Sequence, residues 1–185
     1  ITVKEGESVT LPTNVFTRSS YNFNNWNTRS DGFGLTYNNK STIDVTSSMV
    51  LYAQWVSALG EENGYEWLDL GLPSGTKWAT MNVGATSPED YGDYFAWGET
   101  ETKSLYSSDN YKYYEQDSYG SYNPNKYCTA DKLTILQYTD DAARVNWGGT
   151  WRTPSSEQYK ELMDNSTYKK KKKKGVEGWL ITSNI

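Results

Sequence analysis

The sequence predicts a β-rich α+β fold, and three observations lead to this prediction. The 185 residues include 8 Trp, 16 Tyr and 4 Phe, a richness in rings that disordered chains lack even at a mean hydropathy of −0.82. Short apolar and polar alternations bounded by turn residues are typical of strands. Helix-start signals occur only in the C-terminal part of the chain.

The first 55 residues have strand character throughout. Val9 and Leu11 alternate with polar neighbours, and residues 21–26 hold a cluster of aromatic side chains. A turn is predicted at Asp31–Gly34, because Asp and Gly favour turn conformations. Further strands are expected at Thr42–Val45 and Met49–Trp55. In the last of these, one face carries Met49, Leu51, Ala53 and Trp55.

Residues 56–64 are small, polar and bounded by glycine, which predicts a short linker. Two short strands are then expected around the Pro73–Thr76 turn. A third apolar strand is predicted at Tyr94–Gly98, and a long loop at Glu101–Thr129.

The remaining sequence predicts two helices and a strand. Asp140 and Asp141 lie where first-turn acids favour a helix, which Gly148 and Gly149 would end. Thr153 is expected to cap a second helix with Pro154 as its first residue. The apolar face of that helix would carry Tyr159, Leu162 and Met163, and the strand would cover Gly175–Ile185.

The composition excludes most catalytic and metal-binding chemistry. Histidine is absent, which removes Ser-His and Cys-His nucleophile pairs and His-ligated zinc. Cys128 is the single cysteine, so neither an intrachain disulfide nor a CxxC site can form, and we interpret it as a small buried side chain. We therefore predict no catalytic residue, no metal site, no cofactor and no enzymatic activity.

The charge pattern disfavours nucleic acid as a partner. The net charge is −5, and apart from the six lysines of Lys169–Lys174 the remaining 12 basic residues face 23 acidic ones. The lysine run could bind a polyanion, but a homopolymer inside a strand-like stretch is unusual. We interpret it as an engineered or repetitive segment and assign it no function. No apolar stretch is long enough for a transmembrane segment.

Three segments of the first 55 residues resemble the Listeria–Bacteroides repeat, the B-repeat of internalin-like surface proteins: Ile1–Glu7, Tyr21–Thr28 and Met49–Trp55. The resemblance implies a small β-grasp-like module that serves as a stalk in extracellular proteins. The opening strand of the family would precede Ile1, so the domain is expected to be N-terminally incomplete.

Residues 65–185 resemble the Fibrobacter succinogenes major paralogous domain, which is common in surface proteins of Bacteroidota. Three segments carry the resemblance: Leu70–Ala79, Gly92–Thr100 and Asp140–Ser155. Trp151–Tyr159 is also similar to a motif of formylglycine-generating-enzyme-like domains. The resemblance implies a C-type-lectin-like fold that is C-terminally incomplete, with Trp78, Trp97, Trp147 and Trp151 in its core.

No activity is carried over from these families. The C-terminal cysteines that a formylglycine-generating enzyme needs are absent from this sequence. The segments most similar to a calcium-binding lectin loop, residues 123–125 and 147–149, lack the carboxylates that calcium prefers. We interpret Asp140 and Asp141 as helix N-terminal charges paired with Arg144 or Arg152. Glu99 is interpreted as structural, although it could be half of a glycosidase carboxylate pair.

A tyrosine-rich segment is the predicted ligand site. Tyrosine offers a large contact area with few rotatable bonds, and Ser, Gly and Asn around it adapt to a partner. The alternative is a loop that packs its own tyrosines, or a contact between subunits. The candidate ligand-binding residues are Tyr106, Tyr111, Tyr113, Tyr114, Tyr119 and Tyr122, and Tyr127 ends the same segment.

The sequence thus predicts a non-catalytic, extracellular cell-surface adhesion protein with a repeat stalk and a lectin-like head, anchored for example as a lipoprotein. Its expected partner is a glycan or a surface protein, and a homo-oligomer is possible. The alternative is a structural subunit of a fibre, pilus or phage virion appendage, and a carboxylate-based glycoside hydrolase is a distant third.

Overall fold

A computed structural model describes residues 2–184 and shows a β-rich chain with few helices. Ile1 and Ile185 lie outside the described residues. Ile1 begins the first segment that resembles the repeat family, and Ile185 ends the last predicted strand.

The N-terminal part contains two small antiparallel sheets. Strands β1 (Ser8–Thr10) and β4 (Thr42–Asp44) form one pair. The other sheet has the order β3-β2-β5 and consists of β2 (Tyr21–Asn27), β3 (Thr36–Tyr37) and β5 (Tyr52–Ser57).

Their shared core is small and aromatic. Leu11, Trp26 and Ile43 are buried at its centre. Around them pack the partly buried side chains of Val9, Phe23, Tyr37, Met49, Leu51 and Ala53. Of the predicted face, Met49, Leu51 and Ala53 pack against this core, whereas Trp55 instead contacts the Phe23 ring. The strand predicted at Met49–Trp55 begins only at Tyr52, and large rings supply much of the apolar surface that so short a module can bury.

The prediction of a linker at residues 56–64 is wrong, because strands occupy most of this segment. Strand β5 continues to Ser57, and β6 (Leu59–Glu62) begins after Ala58 alone. The Ala58 N–H donates to Ser20 O at 2.9 Å, and the Ala58 carbonyl accepts from Asp69 N at 2.6 Å. Strand pairing on both sides satisfies this backbone, so the small polar residues here are not an irregular connection.

The third sheet has the order β6-β7-β8. It joins β6 to β7 (Tyr65–Asp69) and β8 (Lys77–Ala79), with the predicted Pro73–Thr76 turn between the last two. The strand predicted at Tyr94–Gly98 is wrong, because this segment pairs with no strand in the described part of the chain and ends in a turn. The loop predicted at Glu101–Thr129 contains a short 3₁₀ helix (Ser108–Asn110) and the hairpin of β9 (Tyr114–Gln116) and β10 (Tyr122–Pro124).

Helix α1 (Ala142–Trp147) ends as predicted, but it begins after Asp140 and Asp141 rather than with these acids in its first turn. A 3₁₀ turn (Tyr138–Asp140) precedes it, Asp141 is its N-cap, and Gly148 ends it with a φ of 70° that glycine adopts readily. The predicted arginine pairing is wrong: Asp140 forms ion pairs with Lys112 and Lys126, and Asp141 accepts from the main-chain N–H groups of Arg144 and Thr153.

Helix α2 (Ser156–Asp164) begins two residues later than predicted. Ser155 is the N-cap and forms a capping box with Gln158, whereas the Thr153 side chain bonds to Asp141. Leu162 is buried as expected, but Tyr159 and Met163 are exposed, so the predicted apolar face is only partly correct.

The chain ends in a two-stranded hairpin of β11 (Ser166–Lys173) and β12 (Val176–Ser183). Most of the lysine run lies in β11, so it continues a strand. Lys173 and Lys174 pair with the Glu89 carboxylate at 3.2 and 2.6 Å.

Candidate functional site

The tyrosine-rich segment is built on a buried base. Tyr113 is 8 % exposed, and its ring meets those of Tyr111 and Tyr127 at centroid distances of 6.0 and 5.5 Å. Gly98 lies against it with a φ of 78°, and a Cβ there would come within 2.7 Å of the Tyr113 ring. The base is therefore closely packed, and Tyr113 is not accessible to a ligand.

Two further predicted site residues use their hydroxyls inside the molecule. The Tyr106 hydroxyl donates to Tyr94 O, and the Tyr111 hydroxyl donates to Trp97 O at 2.8 Å. Burial, together with the nearby Glu99 carboxylate, raises the pKa of the Tyr111 phenol. These rings hold the segment against residues 94–97.

Two buried carboxylates fasten the same base. Glu99 accepts from Lys103 Nζ and from Lys112 N, both at 2.7 Å, so its contacts are structural. Asp140 accepts from Lys126 Nζ at 2.5 Å and from the Tyr127 hydroxyl at 2.8 Å. Burial opposes ionisation of Asp140, but the hydrogen bonds from Lys126 and Tyr127 outweigh it and hold its pKa well below the usual range.

The accessible part of the segment is the β9–β10 hairpin. Tyr114 and Tyr122 stack at 6.4 Å on one face, and a hydrogen bond with Asp109 raises the pKa of the Tyr122 phenol. Tyr119 is 93 % exposed at the tip. Asp117 accepts from Tyr119 N and Ser121 N, both at 2.9 Å, and so defines the shape of the turn. Of the six predicted residues, Tyr114 and Tyr119 are exposed on this hairpin and Tyr122 is half-buried beside Tyr114, while Tyr106 is exposed elsewhere on the segment.

A second candidate site is a cleft of about 710 Å³ beside β8, which sequence reasoning did not find. Its aromatic lining consists of Trp67, Trp78, Trp147, Trp151 and Tyr159. Trp147 is buried as predicted, whereas Trp78 and Trp151 are half-buried. Trp97 lies outside the cleft and is 47 % exposed. The predicted core role of these tryptophans is thus correct for Trp147 and incomplete for the others.

Long-range contacts hold the two walls of this cleft. Glu62 accepts from Thr150 N and, at 2.6 Å, from the Thr150 hydroxyl, and these bonds hold the pKa of Glu62 below its usual range. Trp151 Nε1 donates to Glu62 O at 3.0 Å, and Asn63 Nδ2 donates to Trp147 O at 2.9 Å. The turn after β6 therefore positions the loop that follows α1.

The other end of the cleft is tied to α2. Ser74 N and Oγ donate to the Glu161 carboxylate at 2.8 and 2.5 Å, and Gln158 Nε2 donates to Thr76 Oγ1 at 3.3 Å. Every one of these contacts joins residues more than 80 positions apart, which explains why no local motif signalled the cleft.

No group of three or more acidic or thiol side chains within residues 2–184 is arranged to hold a metal ion. The same range contains no helix that is sufficiently long and apolar to span a bilayer.

Comparison with known proteins gives one match. No curated protein and no solved structure matches the chain. The sequence of residues 1–54 matches the Listeria-Bacteroides repeat domain family, a repeat typical of surface-associated proteins. Residues 1–54 of this protein are therefore a Listeria-Bacteroides repeat domain.

Proposed function

We propose that this protein is a non-catalytic adhesion module of a surface-associated repeat protein, which recognises a glycan or a protein through the β9–β10 hairpin. One observation carries the proposal: exposed Tyr114 and Tyr119 and half-buried Tyr122 lie on a hairpin whose base is packed around buried Tyr113. A fixed base lowers the entropic cost of holding these rings for a partner.

The chemistry of the hairpin suits a polar ligand. Phenol rings stack on the apolar faces of sugars, and their hydroxyls remain available for hydrogen bonds. The repeat domain would act as the stalk, and residues 65–184 as the lectin-like head that the resemblance implies. The alternative role as a fibre or appendage subunit would bury the same rings between copies of the chain.

The test is binding of the whole chain to glycan and surface-protein arrays, followed by titration of the hits. Each ring is expected to contribute about 1 kcal/mol, so the triple variant Tyr114→Ala, Tyr119→Ala, Tyr122→Ala should bind about a hundredfold more weakly. Tyr138→Ala is the matched control, because Tyr138 is also exposed but lies outside the segment.

Light scattering of the same proteins separates adhesion from assembly. A monomer whose array binding depends on the three rings supports the adhesion role. A discrete oligomer that dissociates in the triple variant would replace it with the assembly role, and hits that bind the triple variant unchanged would exclude the hairpin as the site.

A further inference from the structure

The outer edge of β8 is an open sheet edge inside the tryptophan-lined cleft. Among the described residues β8 pairs with β7 alone. The bond from Thr80 N to Glu66 O shows that Thr80 and, two residues before it, Trp78 direct their main-chain groups towards β7. The N–H and C=O groups of Lys77 and Ala79 therefore point into the cleft, and no hydrogen bond within residues 2–184 uses them.

Aromatic side chains lie on both sides of this edge. Trp67 pairs with Ala79, and Leu68 pairs with Trp78, so the Trp67 and Trp78 side chains project from opposite faces of the sheet. Trp147 and Trp151 border the cleft from the loop after α1, and Tyr159 borders it from α2. The cleft thus surrounds the free edge above and below.

We propose that this cleft binds an extended segment of a partner protein as a fourth strand on β8. Main-chain groups of that segment would bond to Lys77 and Ala79, the mode in which exposed sheet edges capture peptides. Its side chains would alternate between the Trp67 side and the Trp78 side. Both sides carry aromatic rings, so the central part of the segment is a continuous apolar run rather than an alternating one.

Charge complementarity indicates an acidic residue beside that run. Lys77 and Arg152 line the cleft and form no ion pair among the described residues, and Lys77 Nζ lies 3.9 Å from the centroid of the Trp67 ring. Glu62 is the one carboxylate among the described lining residues, and it already accepts hydrogen bonds from Thr150. The occupant is therefore an extended, apolar peptide flanked by Asp or Glu.

The experiment is selection of a phage-displayed octapeptide library on the whole protein. Ala79→Pro serves as the counter-selection variant, because it removes the outward N–H and leaves the β7 hydrogen bonds in place. Ala79→Ser retains that N–H and is the matched control. Circular dichroism and thermal unfolding of both variants establish that they are folded.

The expected result is enrichment of apolar, acid-flanked peptides on wild type and Ala79→Ser but not on Ala79→Pro. Methylation of alternate amides in an enriched peptide should weaken binding at least about tenfold, because it removes the ladder donors. The pair Lys77→Gln and Arg152→Gln should weaken it about fivefold. The pair Lys171→Gln and Lys172→Gln removes the same charge from β11 and should change nothing.

Three results would overturn the proposal. The first is a set of enriched peptides that is the same on wild type and Ala79→Pro, or no enrichment at all. The second is equal affinity for the methylated and unmethylated peptides, which would indicate apolar adsorption. The third is self-association of the wild type that Ala79→Pro abolishes, which would make a second copy of the chain the occupant.

Discussion

Asp140 and Asp141 are neighbours in the sequence but stabilise different parts of the molecule. Asp141 caps α1 through Arg144 N at 3.1 Å and holds Thr153 N at 2.8 Å, which joins the two helices. Asp140 points the other way, towards Lys112, Lys126 and Tyr127. Asp140 ends the 3₁₀ turn and Asp141 has an extended backbone, so their side chains point in different directions and the pair can serve two sites.

Asp140→Asn should lower the free energy of unfolding by about 2–3 kcal/mol, because it removes the buried partner of two lysines. The pKa of Asp140 is lowered in the folded state, so its contribution is present above the unfolded pKa of about 3.9 and is lost as the pH falls. Urea unfolding at pH 7 and pH 3 should therefore show a smaller difference between variant and wild type at pH 3.

Asp164→Asn is the control for that experiment. Its ion pair with Lys160 is exposed, so the variant should change the unfolding free energy by less than about 1 kcal/mol. An Asp140→Asn protein as stable as wild type at pH 7 would show that the lysine pairs of Asp140 are not stabilising.

At the scale of elements, short connections are shaped by single polar side chains. Asn27 ends β2 and is fully buried. Its Nδ2 donates to Gly32 O at 3.0 Å and Gly34 O at 3.2 Å, and its Oδ1 accepts from Arg29 N and Gly34 N, both at 2.9 Å. One amide therefore shapes the whole connection between β2 and β3.

Asn27→Ala should cost about 3 kcal/mol of unfolding free energy, because several main-chain groups lose their partner at once. Hydrogen exchange should also accelerate at residues 28–36. Asn24→Ala, on the exposed side of the same strand, should stay within about 0.5 kcal/mol of wild type. Equal effects of the two variants would show that the buried amide does not organise the connection.

The turn after β6 gives a second prediction at this scale. Glu62→Ala releases Thr150 and should make the amides of residues 148–153 exchange about tenfold faster, because the loop then opens without global unfolding. Glu61→Ala, one residue earlier and exposed, is the comparison. Unchanged exchange in Glu62→Ala would mean that Trp151 and Asn63 hold the loop by themselves.

For the whole molecule, we propose two units that meet at Ala58. The apolar cluster of the repeat domain lies entirely between Val9 and Ala53. Other buried apolar side chains, such as Leu72, Trp147 and Leu162, belong to the second part. A side-chain bond from Asn22 Nδ2 to Asp69 O at 3.2 Å joins the two parts next to Ala58.

Separate cores predict separate unfolding. Calorimetry of the whole chain should show two unfolding transitions. Asn27→Ala should lower the melting temperature of one transition, and Asp140→Asn should lower that of the other. The double variant should show both shifts. A single transition that both variants displace would instead identify one cooperative unit across Ala58.

Local signals in the sequence predicted β4, most of β5 and the end of α1, and they predicted a turn at residues 31–34 next to the observed turn of Arg29–Gly32. Each depends on residues a few positions apart, such as the Asp141 cap and the left-handed Gly148. Local signals failed at Tyr94–Gly98, where the hydroxyls of Tyr106 and Tyr111 donate to the main chain of residues 94–97. They also failed at the start of α2, because the Thr153 hydroxyl donates to Asp141 and does not cap the helix.

Composition likewise identified the tyrosine-rich segment, but only the tertiary structure decided which of its rings face solvent. Tyr113 is buried because Gly98, Tyr111 and Tyr127 pack against its ring. Tyr119 is exposed because it lies in the turn that Asp117 defines, away from these residues. The cleft beside β8 is likewise a tertiary property. Its walls are joined by pairs such as Asn63 with Trp147 and Ser74 with Glu161, which only the folded chain brings into contact.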